Sequence, residues 1–600
     1  MAMYFGCFRA RSTFFVWLLL LLQPFSLLKA QQVSDGFAPE SGSSPSSQAA
    51  NTKGDSSSQV AQEFMVVAAH PEASRAGYEV LAKGGNAIDA MVAVQTVLGL
   101  VEPQSSGLGG GAFLLYYDAR QGRLTTFDGR ETAPQQVPDD IFLGPDQTPM
   151  QFFDAVVGGR SVGTPGTVKL LSDVHARFGS QNWGALLAPA IGLASDGFTV
   201  TPRLANAVAK DADFLQRDTE TSNYFFPEGR PIKEGQTLTN LPYAKTLGLL
   251  AKKGGDAFYE EENARLISRK VMSSANPGYL SVKDFADYRI IEREAVCSAY
   301  HQYEVCGMGP PSSGAISVNQ TLGILASFSL QGKAPEAAST WQLVAEASRL
   351  AFADRGLYLA DPEFVSPPEG LLAPGYLLKR AALITKGKAA AQVSPGQPSQ
   401  DSVHYVEGVS PSQASTTHFV IVDRQGNIVS MTSTIENGFG SRLMVNGFLL
   451  NNELTDFSFA AKNENGLIAN RVQPGKRPRS SMAPTIVFKR TIDKKRAPFL
   501  ALGSPGGSRI INYVANSLIR ILDWDYSLQQ AFNAPHIVNR FGVMDLESGS
   551  TAEQLASDFK QMGYETNVRG LNSGLHGIKF DENGMIGAAD RRREGLVMGR

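Results

Sequence analysis

At 600 residues, with 43% hydrophobic and 19% charged side chains and a net charge of −2, the chain has the composition of a soluble globular protein and lacks the basic excess of a nucleic-acid binder. Three cysteines and no cluster of histidines at ligand spacing argue against a metal site.

The amino terminus carries Arg9 and Arg11, an apolar run over 14–22, and then Ser26-Leu27-Leu28-Lys29-Ala30. A basic flank, a short apolar core and a small residue at the cut point describe an export signal over 1–30, removed near Ala30. A membrane anchor is the alternative, although the run is shorter than the ~20 residues a spanning helix needs. Cys7 precedes the apolar core and leaves with the signal. The destination is periplasmic or secreted. Residues 31–61 are rich in Ser, Gln, Gly and Pro and read as a disordered tether, so folded structure is expected from 62.

Helical spacing runs over 72–81 and 87–97, broken by Lys83-Gly84-Gly85-Asn86. The glycines at 107–111 precede an apolar strand over 112–117. That loop-then-strand order, without a Gly-Lys-Ser/Thr ending, argues against a phosphate loop. Further helices are expected over 166–178, 183–195 and 339–354. Cys297 and Cys306 flank a strand-like stretch, 298–305. They either pair across a hairpin in an oxidising compartment or remain two buried thiols. Asn319-Gln320-Thr321 matches a glycosylation acceptor. Past 416 the texture changes to short strands over 417–422, 428–434, 447–450, 485–488 and 499–503, followed by a helix over 509–522. Pattern alone supports a mixed α and β protein without internal repeats.

The chemistry centres on Ala414-Ser415-Thr416-Thr417-His418-Phe419-Val420. A cut before Thr416 would create an amino-terminal threonine whose hydroxyl is the nucleophile and whose freed α-amine, with a reference pKa of ~7.7–8, is the base. In isolation a Thr-Thr pair only starts a strand. Downstream, however, come Met431-Thr432-Ser433-Thr434-Ile435-Glu436-Asn437-Gly438, Leu449-Leu450-Asn451-Asn452-Glu453-Leu454-Thr455-Asp456, Arg477-Pro478-Arg479-Ser480-Ser481-Met482 and Gly503-Ser504-Pro505-Gly506-Gly507. Upstream lie Glu102-Pro103, Asp128-Gly129-Arg130-Glu131, Gly163-Thr164-Pro165-Gly166, Pro310-Pro311-Ser312-Ser313-Gly314 and Tyr358-Leu359-Ala360-Asp361-Pro362. In this order, over roughly 62–595, the motifs resemble the γ-glutamyltransferase family (glutathione hydrolases) among the N-terminal-nucleophile hydrolases.

The resemblance implies an α+β protein, a four-layer αββα sandwich, that cuts itself at Ser415-Thr416. The products would be a large subunit, 62–415, and a small catalytic subunit, 416–600, which stay paired. By the same resemblance Thr416 is the nucleophile, Thr434 orients it, and Gly506 and Gly507 form the oxyanion hole. Arg130, Ser480 and Ser481 grip the α-carboxylate of glutathione or another γ-glutamyl compound, and Glu453 and Asp456 receive its ammonium. Water or an acceptor amine completes the reaction and no cofactor is needed. Two departures stand out. Glu436 replaces an asparagine found in many members, adding a negative charge near the ammonium pocket. The segment 458–475, where many members carry a lid with a tyrosine, has no Tyr or Trp and looks short, which implies an open site. Rival readings are a short-lid acylase that removes glutaryl side chains, as in cephalosporin-type acylases, and a binding protein without turnover.

Overall fold

The computed structural model describes residues 58–399, 405–408, 415–490 and 496–600. The expected signal segment and most of the tether lie outside the described residues. The first large sheet runs, edge to edge, through Leu596–Gly599, Met65–Ala68, Thr417–Val422, Ile428–Thr434, Gly111–Asp118, Arg123–Gly129 and Ile291–Arg293. The second runs through Gln59–Ala61, Gly584–Ala589, His576–Asp581, Arg496–Gly503, Thr485–Arg490, Tyr303–Gly307 and Val296–Tyr300. Every neighbouring pair in both is antiparallel.

Period-2 alternation in the first sheet sorts its side chains into two cores. Val66, Leu114, Phe419, Ile421 and Met431 join the helices Pro71–Ala82, Ala87–Val101, Thr167–Phe178 and Trp183–Asp196. Val67, Phe113, Val420 and Val422 instead meet Val487, Leu500 and Leu502 of the second sheet. The same core continues into the helices Gly314–Leu325, Ala338–Tyr358 and Ile510–Leu522. The layers are therefore helix, sheet, sheet, helix, the αββα sandwich expected.

Local signals account for several boundaries. Asn86 accepts from the N–H groups of Ile88 and Asp89 at 3.0 Å each, while Asp89 reaches back to the Asn86 N–H at 2.9 Å. This reciprocal cap starts the second helix directly after the Gly84-Gly85 break. Two expectations need correction, and one alternative is decided. The stretch 298–305 is a hairpin: the chain reverses at His301 (φ 51°), which sets Cys297 opposite Cys306, and the two are disulfide-bonded rather than free thiols. Asn319 is buried on the helix Gly314–Leu325 and its amide donates to the Val305 carbonyl at 3.2 Å, so its glycosylation motif is inaccessible in the fold. The second sheet recruits Gln59–Ala61, residues assigned to the tether, because pairing with Met585–Gly587 needs backbone rather than apolar side chains.

Candidate active site

Register brings two threonine hydroxyls together. Thr417 pairs with Ser433, so Thr416, one step earlier, sits opposite Thr434. Their Oγ1 atoms are 3.4 Å apart. In this uncleaved chain both hydroxyls donate to the Ser415 carbonyl oxygen, Thr434 at 3.0 Å. The Glu436 N–H in turn donates to Thr434 Oγ1 at 2.8 Å, which fixes where the Thr434 proton points. The Ser415-Thr416 peptide is pinned on either side. Ser415 Oγ donates to the Gln104 carbonyl, Arg593 donates to the Thr416 carbonyl at 3.0 Å, and Thr417 Oγ1 donates to Glu102 at 3.1 Å. Glu102 is held by Arg203 at 2.9 Å. His418 supplies no base here. Burial, with His576 nearby, keeps it uncharged, its Nδ1 is engaged with Thr432 Oγ1 at 2.8 Å, and Nε2 makes no hydrogen bond among the described residues.

One pocket is lined by Arg130, Ser415, Thr416, Thr434, Glu436, Glu453, Asp456, Ser480, Ser481 and Gly507. The structure thus gathers the expected site residues from segments as far apart as Arg130 and Gly507. Gly506 flanks it at φ 137°, and a Cβ there would lie 2.5 Å from the Tyr513 ring. Gly507 (φ 58°) opens the turn into the helix Ile510–Leu522, so the pocket meets the positive end of a helix. Thr416 is only 3% exposed. In the uncleaved chain the threonine itself is thus buried, in contrast to the open site expected from the short segment 458–475. Within that segment Phe459 is buried and stacks on Phe142 at 4.7 Å.

Arg130 is fully buried and more committed than expected. Its terminal nitrogens donate to Glu453 and, at 2.5 Å, to Asp456, Nε donates to the Pro478 carbonyl at 3.1 Å, and Nη2 also reaches the Arg479 carbonyl at 3.2 Å. Asp128 orients it by accepting from its backbone N–H at 2.9 Å. Burial disfavours the Arg130 charge, but Glu453 and Asp456 outweigh it and hold the guanidinium above its ordinary range. With both terminal nitrogens on the acidic pair, a two-pronged grip on a carboxylate is not free in this state.

The acidic side of the pocket is crowded. Burial, with Asp456 adding to it against Arg130, pushes the Glu453 carboxyl up to about 7. Burial and the Glu453 charge push Glu131 well above the usual carboxylate range. Glu436, at φ 75°, accepts from the Asn452 amide and faces the same space. Ser480 Oγ accepts from the Met482 N–H at 3.1 Å and Ser481 Oγ from Arg355 at 2.8 Å. Among the described residues, the group of His, Cys, Asp or Glu side chains close enough to share an ion is Cys297, Glu304 and Cys306, whose sulfurs are in the disulfide.

Sequence reasoning missed the roles of Arg593, Glu131 and Arg355. Glu131 had a signal, since it adjoins Arg130 in the same motif. Arg593 had a weaker one, the run Asp590-Arg591-Arg592-Arg593, whose buried position no local pattern reveals.

An αββα sandwich with a threonine hydroxyl at the head of a central strand defines an N-terminal-nucleophile hydrolase. A family model described as Gamma-glutamyltranspeptidase matches residues 73–600, and the chain belongs to that family. The chain is 39% identical over 553 residues to the glutathione hydrolase proenzyme of Bacillus subtilis (strain 168), covering 90% of this chain and 92% of the relative. It is 34% identical to the acylase ACY 1 proenzyme of Pseudomonas sp. (strain SE83), with 88% and 92% covered. The crystal structure of cephalosporin acylase from Bacillus halodurans superposes with a TM-score of 0.79 at 26% identity, covering 91% of this chain and 97% of that one.

Proposed function

We propose that this chain is an exported proenzyme that cuts itself at Ser415-Thr416 and then hydrolyses or transfers γ-glutamyl groups from glutathione or related amides. The observation that carries the reading is the Thr416 hydroxyl facing Thr434, with both on the Ser415 carbonyl, inside a pocket that also holds Arg130 and the acidic cluster. In maturation Thr416 Oγ1 attacks the Ser415 carbonyl carbon while Thr434 stabilises charge on its oxygen. The C–N bond then breaks, the Thr416 nitrogen takes the hydroxyl proton, and water hydrolyses the resulting ester. A Ser415 carboxylate and a free Thr416 amine remain, on a large subunit that ends at Ser415 and a small subunit, 416–600.

In turnover that amine accepts the Thr416 hydroxyl proton as oxygen attacks the γ-carbonyl. The Gly506-Gly507 backbone receives the oxyanion, the proton passes to the leaving amine, and a γ-glutamyl-threonine ester remains. Water or an acceptor amine then takes the acyl group. At the far end of the substrate, Ser480, Ser481 and the remaining N–H capacity of Arg130 meet the α-carboxylate, and Glu436, Glu453 and Asp456 meet the ammonium. This acidic cluster favours γ-glutamyl over glutaryl amides. Mass spectrometry of the purified protein, beside a chromogenic γ-glutamyl anilide assay, tests the reading. Two chains are expected, the smaller beginning at Thr416, and Thr416→Ala should remain one inactive chain. A Thr416→Ala protein that still splits between 415 and 416 sinks the mechanism.

A further inference from the structure

Arg355, on the helix Ala338–Tyr358, stands outside the residues that line the pocket yet is wired to it. It is 7% exposed, and among the described residues no carboxylate forms an ion pair with it. Its planar fork spans two hydroxyls instead: Nε donates to Ser313 Oγ and Nη2 to Ser481 Oγ, each at 2.8 Å. A hydroxyl that accepts from a guanidinium must send its own proton elsewhere. Ser313 sends its proton to the Ser480 carbonyl at 2.7 Å. Ser481 donates to no protein acceptor among the described residues, and it faces the pocket.

The motif Pro310-Pro311-Ser312-Ser313-Gly314 also finds its place here. Ser480 N–H donates to the Pro311 carbonyl at 2.9 Å, Ser313 N–H to the Ser480 carbonyl at 2.8 Å, and Ser312 Oγ to the Met482 carbonyl at 2.6 Å. The motif is the back wall of the Ser480-Ser481 segment, and Arg355 rivets the two together.

We propose that Arg355 is a positioning residue for the substrate's α-carboxylate: by occupying Ser481 Oγ as an acceptor, it fixes the Ser481 O–H as a donor aimed into the pocket. The proposal rests on the γ-glutamyl reading above. Lysine would keep the charge but could not hold both hydroxyls in one plane.

The test compares a γ-glutamyl anilide with 4-aminobutanoyl anilide, which keeps the amine and the amide but lacks the α-carboxylate. For Arg355→Lys and for Ser313→Ala, KM for the γ-glutamyl anilide should rise about tenfold while kcat stays within about threefold, the scale of one charge-assisted hydrogen bond. KM for 4-aminobutanoyl anilide should not move. Ser481→Ala should give the same pattern, and Arg355→Lys should add nothing in its background. Equal losses on both substrates, a fall in kcat alone, or additive losses in the double variant overturn the proposal. Ser313→Ala retains the buried guanidinium but removes one of the two hydroxyls that hold its plane toward Ser481, so the comparison stands even where Arg355→Lys fails to accumulate. A wild type indifferent to the α-carboxylate refutes the functional reading, and the proposal with it. A wild type that depends on it, with Arg355→Lys and Ser313→Ala keeping the same dependence, overturns the proposal alone.

Discussion

A glutaryl anilide is a γ-glutamyl anilide without the α-amine, so the ratio of their kcat/KM values reads how much the acidic cluster contributes. Glu131, Glu453 and Asp456 crowd around one guanidinium, and Glu436 lines the same pocket. Burial and the Glu453 charge push Glu131 toward its protonated form, burial raises the Glu453 carboxyl to about 7, and Arg130 offsets part of the negative charge of the cluster. One uncompensated carboxylate facing the ammonium sets the magnitude. At ~4 Å and an effective dielectric near 20, one charge contributes up to ~4 kcal/mol. Desolvating the ammonium takes back part of that, leaving ~2.7 kcal/mol, or about 100-fold in kcat/KM. The Glu453 carboxyl also sets a sign. As pH falls through about 7 it gains a proton and its attraction disappears, so the ratio should shrink between pH 8 and pH 6 through a rising KM for the γ-glutamyl anilide. The Thr416 amine acts on both substrates alike, so its titration cancels in the ratio. Glu436→Asn should narrow the gap further. Comparable kcat/KM values at pH 8, or a ratio that ignores pH, would refute the charge argument and favour the acylase.

Thr434→Ala removes the 3.0 Å donor to the Ser415 carbonyl, so the appearance of two chains on a gel should slow by about 10²–10³, the usual effect of losing one oxyanion donor; prompt processing would take Thr434 out of that role. Arg130→Lys should mature normally but lose about 100-fold in kcat/KM, because lysine cannot hold Glu453 and Asp456 together; unchanged kinetics would remove Arg130 from substrate binding. Gly506→Ala places a methyl 2.5 Å from the Tyr513 ring at φ 137°, so hydrolysis of the γ-glutamyl anilide should fall by about 10²–10³ and thermal unfolding should come several degrees earlier. Wild-type kinetics for that variant would show that the backbone there does not hold the oxyanion.

Much of the local structure was legible in the chain. The strands Thr417–Val422 and Ile428–Thr434 match their expected limits, because alternating branched side chains and the Arg424-Gln425-Gly426-Asn427 turn mark both ends. The helix Ala87–Val101 runs four residues past its expected end, since Gly99 is buried against Gly107 rather than breaking it. Sheet order was not legible. Periodicity says which face of a strand is apolar but not which strand lies beside it, and Met65–Ala68 pairs with residues more than 350 positions away. The same limit hid Arg593 behind Thr416 and Arg355 behind Ser481. Arg593 sits in an ordinary-looking charged run and Arg355 in a helix with no motif of its own, until the fold buries them.

Both large sheets are woven from chain on either side of Ser415-Thr416. Met65–Ala68 lies between Thr417–Val422 and Leu596–Gly599, Gly111–Asp118 pairs with Ile428–Thr434, Gln59–Ala61 with Gly584–Ala589, and Tyr303–Gly307 with Thr485–Arg490. A cut in this place changes the order of the folding reaction. Before it, all five seams close within one molecule. After it, a denatured protein must bring two chains back together before any of them can form, so recovery becomes concentration-dependent. The mature enzyme would then persist because it unfolds slowly rather than because it refolds readily.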